Sequence, residues 1–412
     1  MIAFDARGWP LRGLILWAMI AVTAGAGCGN TTKQPSSGEK GRQWVFTQAP
    51  YPRIGMCWSP VRGDRSLASM ARHDMIMTSV EALGLEWDRQ PEVMATGFKP
   101  ESIEAAKQRT AELRKLNPDA LILGDLSFYE LDEHALPEDH PWWLRKEGKR
   151  EQFWPGTYRM DWYRPDYQQT VIAKTVALYR AGVVDGVFYD NLREEKEPWL
   201  AVMKGVREAV ADNFLIQANV GYDIGSYDWL APYMNGIMYE SGWSHPQRSR
   251  WRPRETWDDR IGMMQHTESL LRQPRISLIE RFETTRDHAG WPTDPRKGEP
   301  IPRDPAARRW TMCYALIVGD CYYLFSDSTS HRHDWYPEYD VKIGLPLAAG
   351  EKVSAHVWQR KYEKALVVMN LPDAEEPYQA EVGEPAKDSF TGETGRRFTI
   401  PPGDGRILVT QE

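Results

Sequence analysis

The stretch DGVFYDN, Asp185 to Asn191, returns about fifty residues later as NGIMYES, Asn235 to Ser241. The two align position by position: Asp or Asn, Gly, Val or Ile, a large apolar residue, Tyr, an acid, a small polar residue. Side chains alternate along a strand, so Gly186, Phe188 and Asp190 share one face, and Gly236, Met238 and Glu240 share the matching face. Two acids held across a gap can divide the cleavage of an acetal C–O bond. A protonated one gives its proton to the leaving oxygen, while an ionised one attacks carbon or activates water. Asp190 is expected as nucleophile or base and Glu240 as general acid. Each acid also has a structural reading, pairing with a rim arginine or capping a helix.

Local chemistry suggests how the roles divide. The Asn191 amide can donate to an ionised Asp190. Tyr239 and Trp243 flank Glu240, and an aromatic wall would disfavour its charge and raise its pKa. Further residues suit a sugar cleft: Trp58, Asp125, Asn191, Asn219, Tyr222, Trp243, His245 and Glu280 are expected to line the substrate. Glu280 is the rival second acid, with a partnership to Arg281 or Arg260 as its structural reading. The HxHD motif at His331 to Asp334 could bind a metal. A metal-dependent phosphodiesterase using Asp125, Asp190, His331 and His333 follows as one reading, although no cofactor is called for by the paired acids.

These residues must be held by regular elements. From Tyr51 to Asp327 short apolar runs alternate with amphipathic stretches, which describes βα repetition and a parallel sheet. The runs RIGMCWS, MIMTS, ALILGDLSF, VDGVFYDN, FLIQANVGY, NGIMYES, RISLIERF and CYYLFSD number eight, enough to close a TIM (β/α)8 barrel. Asp190 and Glu240 then end the fourth and sixth strands, at the rim where such barrels carry chemistry. With strands about 4.8 Å apart and one strand between them, their carboxyls can converge to about 5–9 Å. Asp166 and Gln169 suggest a capping box opening a helix that closes on Gly182. Ile103, Ala106, Leu113 and Leu116 mark the buried face of another helix. After Asp340 only short strands divided by Pro, Gly and Asp remain, predicting a small all-β sandwich.

The 412 residues carry a net charge of −7, which argues against a nucleic-acid partner. Of the eighteen tryptophans, filling a large core accounts for most, and a few suit stacking on sugar rings. Arg7 and Arg12 precede a short apolar run ending at Cys28. This reads as an export signal, too short for a membrane span. GAGC, Gly25 to Cys28, is similar to a lipoprotein lipobox, with Gly25 where Leu is usual. Cys28 is thus a candidate lipidation site and the only link to a membrane. Cys57, Cys313 and Cys321 read as small buried hydrophobes. The expected organisation is a signal over 1–28, a tether over 29–46, a barrel over 47–340 and a β domain over 341–412.

MDWYRPDYQQ, AGVVDGVFYDN, QANVGYD and NGIMYES resemble the hypothetical glycoside hydrolase families of exported bacterial proteins. They are more distantly similar to endo-α-1,4-polygalactosaminidase-like barrels. The tail, with KALVVMNL and DSFTGE, resembles the β-module that ends many such proteins. The resemblance implies a TIM barrel and an enzyme cleaving O-glycosyl bonds of a poly- or oligosaccharide, in the cell envelope or secreted. A carbohydrate-binding lipoprotein that kept the barrel without its chemistry is the alternative.

Overall fold

Eight parallel strands form one sheet in sequence order: β1 (Gly55–Cys57), β2 (Met75–Ser79), β3 (Leu121–Asp125), β4 (Gly186–Tyr189), β5 (Leu215–Asn219), β6 (Gly236–Glu240), β7 (Leu278–Phe282) and β8 (Tyr322–Ser326). A parallel bridge between Ile54 and Tyr323 joins β8 back to β1 and rounds the sheet into a barrel. The computed structural model describes residues 47–126, 129–192, 196–221, 227–240, 256–282, 305–326 and 331–410. The expected signal and tether, Cys28, Tyr222, Trp243 and His245 lie outside them. No helix among the described residues is long and apolar enough to cross a membrane.

The repeated heptad is a structural unit. Its leading polar side chain accepts the amide N–H of the preceding strand: Asp185 from Ile122 at 2.9 Å, Asn235 from Ile216 at 3.1 Å. Its glycine stands where the next strand passes. A Cβ on Gly186 would lie 2.4 Å from the Leu215 carbonyl oxygen, and one on Gly236 2.6 Å from the Ile276 carbonyl carbon. Phe188 and Met238 then point into the barrel beside Cys57, Leu123 and Leu324. Val187, Ile237 and the two tyrosines point out toward the helices. Tyr189 bonds Thr175 at 2.6 Å, and Tyr239 accepts from Arg260 at 2.7 Å. Tyr239 is therefore turned away from Glu240 and forms no wall over it.

The longer helices are α1 (Pro100–Leu116), α2 (Pro165–Ala181), α3 (Lys196–Ala209), α4 (Trp257–Leu270) and α5 (Pro305–Val318). Helix α1 buries Ser102, Ala106, Thr110 and Leu113. Leu116, expected on that face, is 58% exposed, because the stripe drifts around a 3.6-residue helix. Helix α2 begins one residue before Asp166, with Pro165 in its first turn and no side-chain cap. It ends at Gly182, φ 66°. The capping box does not form because proline already supplies the helical φ at the start. A capping box occurs instead on α4, between Thr256 and Asp259.

The C-terminal strands are β9 (Glu351–Ser354), β10 (Val357–Lys361), β11 (Ala365–Asn370), β12 (Tyr378–Asp388), β13 (Thr394–Ile400) and β14 (Asp404–Thr410). They form an antiparallel sheet in the order β9-β10-β11-β14-β12-β13. YQAEV and the start of KDSF belong to one long strand, β12, whose pairing with β13 shifts between Glu381 and Ala386. Val357, Val368, Ala380, Phe398 and Leu408 build a small core on one face. The other face meets α5. There Arg309 grips Asp404 with two bonds of 2.8 and 2.7 Å, and the Tyr362 hydroxyl donates to the Leu316 carbonyl at 2.7 Å.

Candidate active site

The barrel strands finish at one rim, and most of them end on or lead into polar residues. Asp125 ends β3, Asp190 and Asn191 follow β4, Asn219 ends β5, Glu240 ends β6 and Ser326 ends β8. Asn219 organises the centre. Its Oδ1 accepts the Gly221 amide at 2.7 Å, which leaves its NH2 facing the acids. Nδ2 lies 2.8 Å from Asp190 Oδ1 and 3.4 Å from Glu240 Oε1. Asp190 also receives the Asn191 amide at 2.9 Å on Oδ2. Two amide donors stabilise a carboxylate in its ionised form.

Glu240 is in the opposite situation. Burial, then the neighbouring Glu280 and Asp190 charges, push its pKa up to about 7, against the pull of His331 and the Asn219 hydrogen bond. The rise expected for Glu240 thus has a different cause: protein packed around the carboxyl and like charges, with Trp243 outside the described residues. Asp125 is raised to about 7 as well, by burial and by Asp190, while the Trp58 indole N–H bonds its Oδ2 at 2.7 Å. Its Oδ1 is buried without a hydrogen-bond partner.

Glu280 is completely buried. It does not pair with Arg281 or Arg260. Both its oxygens lie 2.9 Å from His331 Nδ1, and the Ser326 hydroxyl donates to Oε1 at 2.6 Å. Arg281 is the next residue along β7 and points to the opposite face, while Arg260 is committed to Tyr239. Among the described residues, Cys57, Glu280 and His331 form the one group whose donors, within 4.8 Å of one another, could converge on a metal. Glu280 and His331 are hydrogen-bonded to each other, an ion pair when the imidazole is protonated. The HxHD motif is split up: His333 bonds His73 at 2.8 Å and Asp334 bonds Arg62 at 2.6 Å. His333 therefore does not join Asp125 and Asp190, which removes the four-residue metal set.

Sequence reasoning missed Glu130, which accepts the Asn191 amide at 3.1 and 3.3 Å from a short hairpin strand, Glu130–Asp132. It missed Ser326, and it gave His331 the wrong partners. Nothing local marks these contacts, since 61 and 51 residues separate Glu130 from Asn191 and Glu280 from His331. Three non-glycine residues at the rim, Trp58, Asn191 and His331, hold φ between 51° and 56°. Such backbone is sparsely populated and gathers at functional sites.

Comparison with known proteins bears on the fold and the family. No curated protein matches the chain in sequence. An α-amylase from Lactobacillus plantarum superposes with a TM-score of 0.51 at 11% identity, over 89% of this chain and 99% of that one. An α-amylase from Geobacillus thermoleovorans gives 0.49 at 11% identity, over 90% and 99%. The glycoside hydrolase domain of PelA from Pseudomonas aeruginosa gives 0.35 at 15% identity, over 56% and 85%. At these identities the likeness to the first is one of fold. Residues 129–366, more than half of the chain and the segment carrying Glu130, Asp190, Asn219, Glu240, Glu280 and His331, match GHL15, and the protein belongs to this family, hypothetical glycosyl hydrolase family 15.

Proposed function

We propose that the protein cleaves glycosidic bonds of a poly- or oligosaccharide with Asp190 as nucleophile and Glu240 as acid and base. The observation that carries this reading is the amide of Asn219 shared between the two acids. Oxygens on one nitrogen at these distances lie at most about 6.2 Å apart, short of the ~6.5–9.5 Å that leaves room for a water and compatible with the ~5–5.5 Å of direct attack. Asp190 attacks the anomeric carbon as the bond to the leaving oxygen breaks, and the Glu240 proton passes to that oxygen. Water then attacks the glycosyl ester, gives its proton to Glu240 and frees Asp190. Trp58 offers a ring face, and Asp125 an unpartnered oxygen that a sugar hydroxyl would satisfy.

The anomer of the first product, followed by proton NMR on a glycan from which wild type releases reducing ends, tests the mechanism. Retention is expected, and inversion would remove the nucleophile role from Asp190. We also propose export and lipid anchoring through Cys28, motivated by the basic start, apolar run and GAGC. Incorporation of labelled palmitate by wild type and not by Cys28→Ala is expected. Equal labelling of both would overturn it.

A further inference from the structure

Strands β6 and β7 place Glu240 and Glu280 in register. Parallel neighbours lie about 4.8 Å apart and in-register side chains leave the sheet on the same side. Two glutamates thus stand side by side at the barrel mouth. A buried carboxylate next to another acid is costly unless it is paired and hydrogen-bonded. The protein meets this with His331. The segment after β8 brings its Nδ1 to 2.9 Å from both Glu280 oxygens, while Ser326 bonds one of them from the end of β8. The ring is wedged between Trp58, 4.6 Å away, and Phe282, 5.7 Å away. Its backbone is left-handed, φ 56°, so the fold accepts local strain to hold an imidazole here.

We propose that Glu280 and His331 are positioning residues for the acid–base step, a single unit that presents Glu240 with a carboxylate and an imidazolium whose charges offset one another. The inference rests on the reading of Glu240 as the acid. Glu280 is too enclosed, and too fully bonded, to be a second acid toward a sugar. Among the described residues, the titratable and polar groups that face Glu240 from each packed element are few. Asp190 lies beyond β4, Asn219 on β5, Glu280 on β7, His331 after β8 and the Cys57 thiol on β1. The thiol is held neutral by burial, which pushes its pKa up. Burial works against the His331 charge, but Glu280 in contact, with Glu240 and Asp190 behind it, raises its pKa on balance. Glu280 raises the pKa of Glu240 and His331 lowers it, so the two halves of the pair act with opposite sign.

The test is a titration of the Glu240 carboxyl by carbon-13 NMR of protein labelled at glutamate, the resonance being assigned by its loss in Glu240→Gln. It needs no substrate. His331→Gln removes the cation and leaves Glu280, so Glu240 should titrate about one pH unit higher. Glu280→Gln removes the anion and should move it about one unit lower. The double variant should return near wild type. His331→Lys keeps a cation and should restore the wild-type value, which guards against misfolding of the glutamine variant. Shifts of the same sign in the two single variants, or no shift in either, overturn the proposal. The basic limb of the activity profile should follow the NMR shifts. If the titrations behave as expected while Glu240→Gln keeps full turnover, the pair stands as an electrostatic unit and the catalytic reading of Glu240 falls.

Discussion

At the scale of the residue, the proposed function turns on two carboxyls in different settings. Asp190→Asn should lower kcat by at least about 10³-fold on every substrate, because no nucleophile remains. Glu240→Gln should be nearly as severe on a natural glycan, but should keep much of its turnover on a glycoside with an activated leaving group, which needs no acid. Equal loss on both substrates would reverse the roles. As the proposed acid, Glu240 must be protonated to act. With its pKa raised to about 7, activity should fall as pH rises through about 7, and this limb should vanish in Glu240→Gln on the activated substrate. Stability carries a related signal from Glu268, a buried carboxyl bonded by Ser277 and raised by burial to about 7. A carboxyl whose folded pKa is raised gives stability that is complete below its unfolded pKa, about 4.3, and is lost as pH rises through 7. Glu268→Gln should therefore flatten the decline in thermal unfolding temperature between pH 5 and 8. An unchanged slope would show that Glu268 stays ionised in the fold.

At the scale of the element, the repeated heptad explains how one strand pattern ends twice on an acid. The glycine is needed because backbone at or just before the next strand passes 2.4–2.6 Å from where a Cβ would stand, well inside van der Waals contact. Gly236→Ala should cost about 3 kcal/mol in denaturant unfolding, since backbone rather than a movable side chain is in the way. It should also reduce turnover in the molecules that fold, because β6 carries Glu240. Gly262→Ala on α4, where no atom lies within 4 Å, is the matched control and should be neutral or slightly stabilising. Comparable losses in the two would refute the steric account. The strands were legible in sequence because burial on both sides gives continuous apolar runs. Their inward and outward faces were legible because alternation is fixed by the pleat. The start of α2 was misread because Asp166 and Gln169 satisfy a capping pattern that Pro165 makes unnecessary.

At the scale of the molecule, barrel and tail share a packed boundary. All nine residues of α5 from Trp310 to Val318 are buried. Gly405 lets β14 approach Cys313, whose sulfur would be 2.6 Å from a Cβ there. Asp404, nearly buried, is held by both Arg309 and Arg406. Asp404→Asn should cost about 3 kcal/mol, because it takes the carboxylate from Arg309 and one of two from Arg406, which also pairs with Asp388. Calorimetry should still show one transition, since the tail and barrel bury each other. A low-temperature transition for the tail alone would show that the two melt separately.

Much of this protein is written in local pattern. Eight strands, the rim position of Asp125, Asp190, Asn219 and Glu240, and the change to an all-β tail follow from periodicity and punctuation, which depend on near neighbours in the chain. The partnerships at the rim do not. Asn219 between two acids, Glu130 on Asn191, His331 on Glu280 and His333 on His73 join segments that meet only when the barrel closes. Their chemistry depends on distances of about 3 Å, over which a hydrogen bond is made or lost. Sequence spacing fixes which face of a strand a side chain leaves from. Only the closed barrel decides which charge it meets there, and therefore which of its acids keeps a proton.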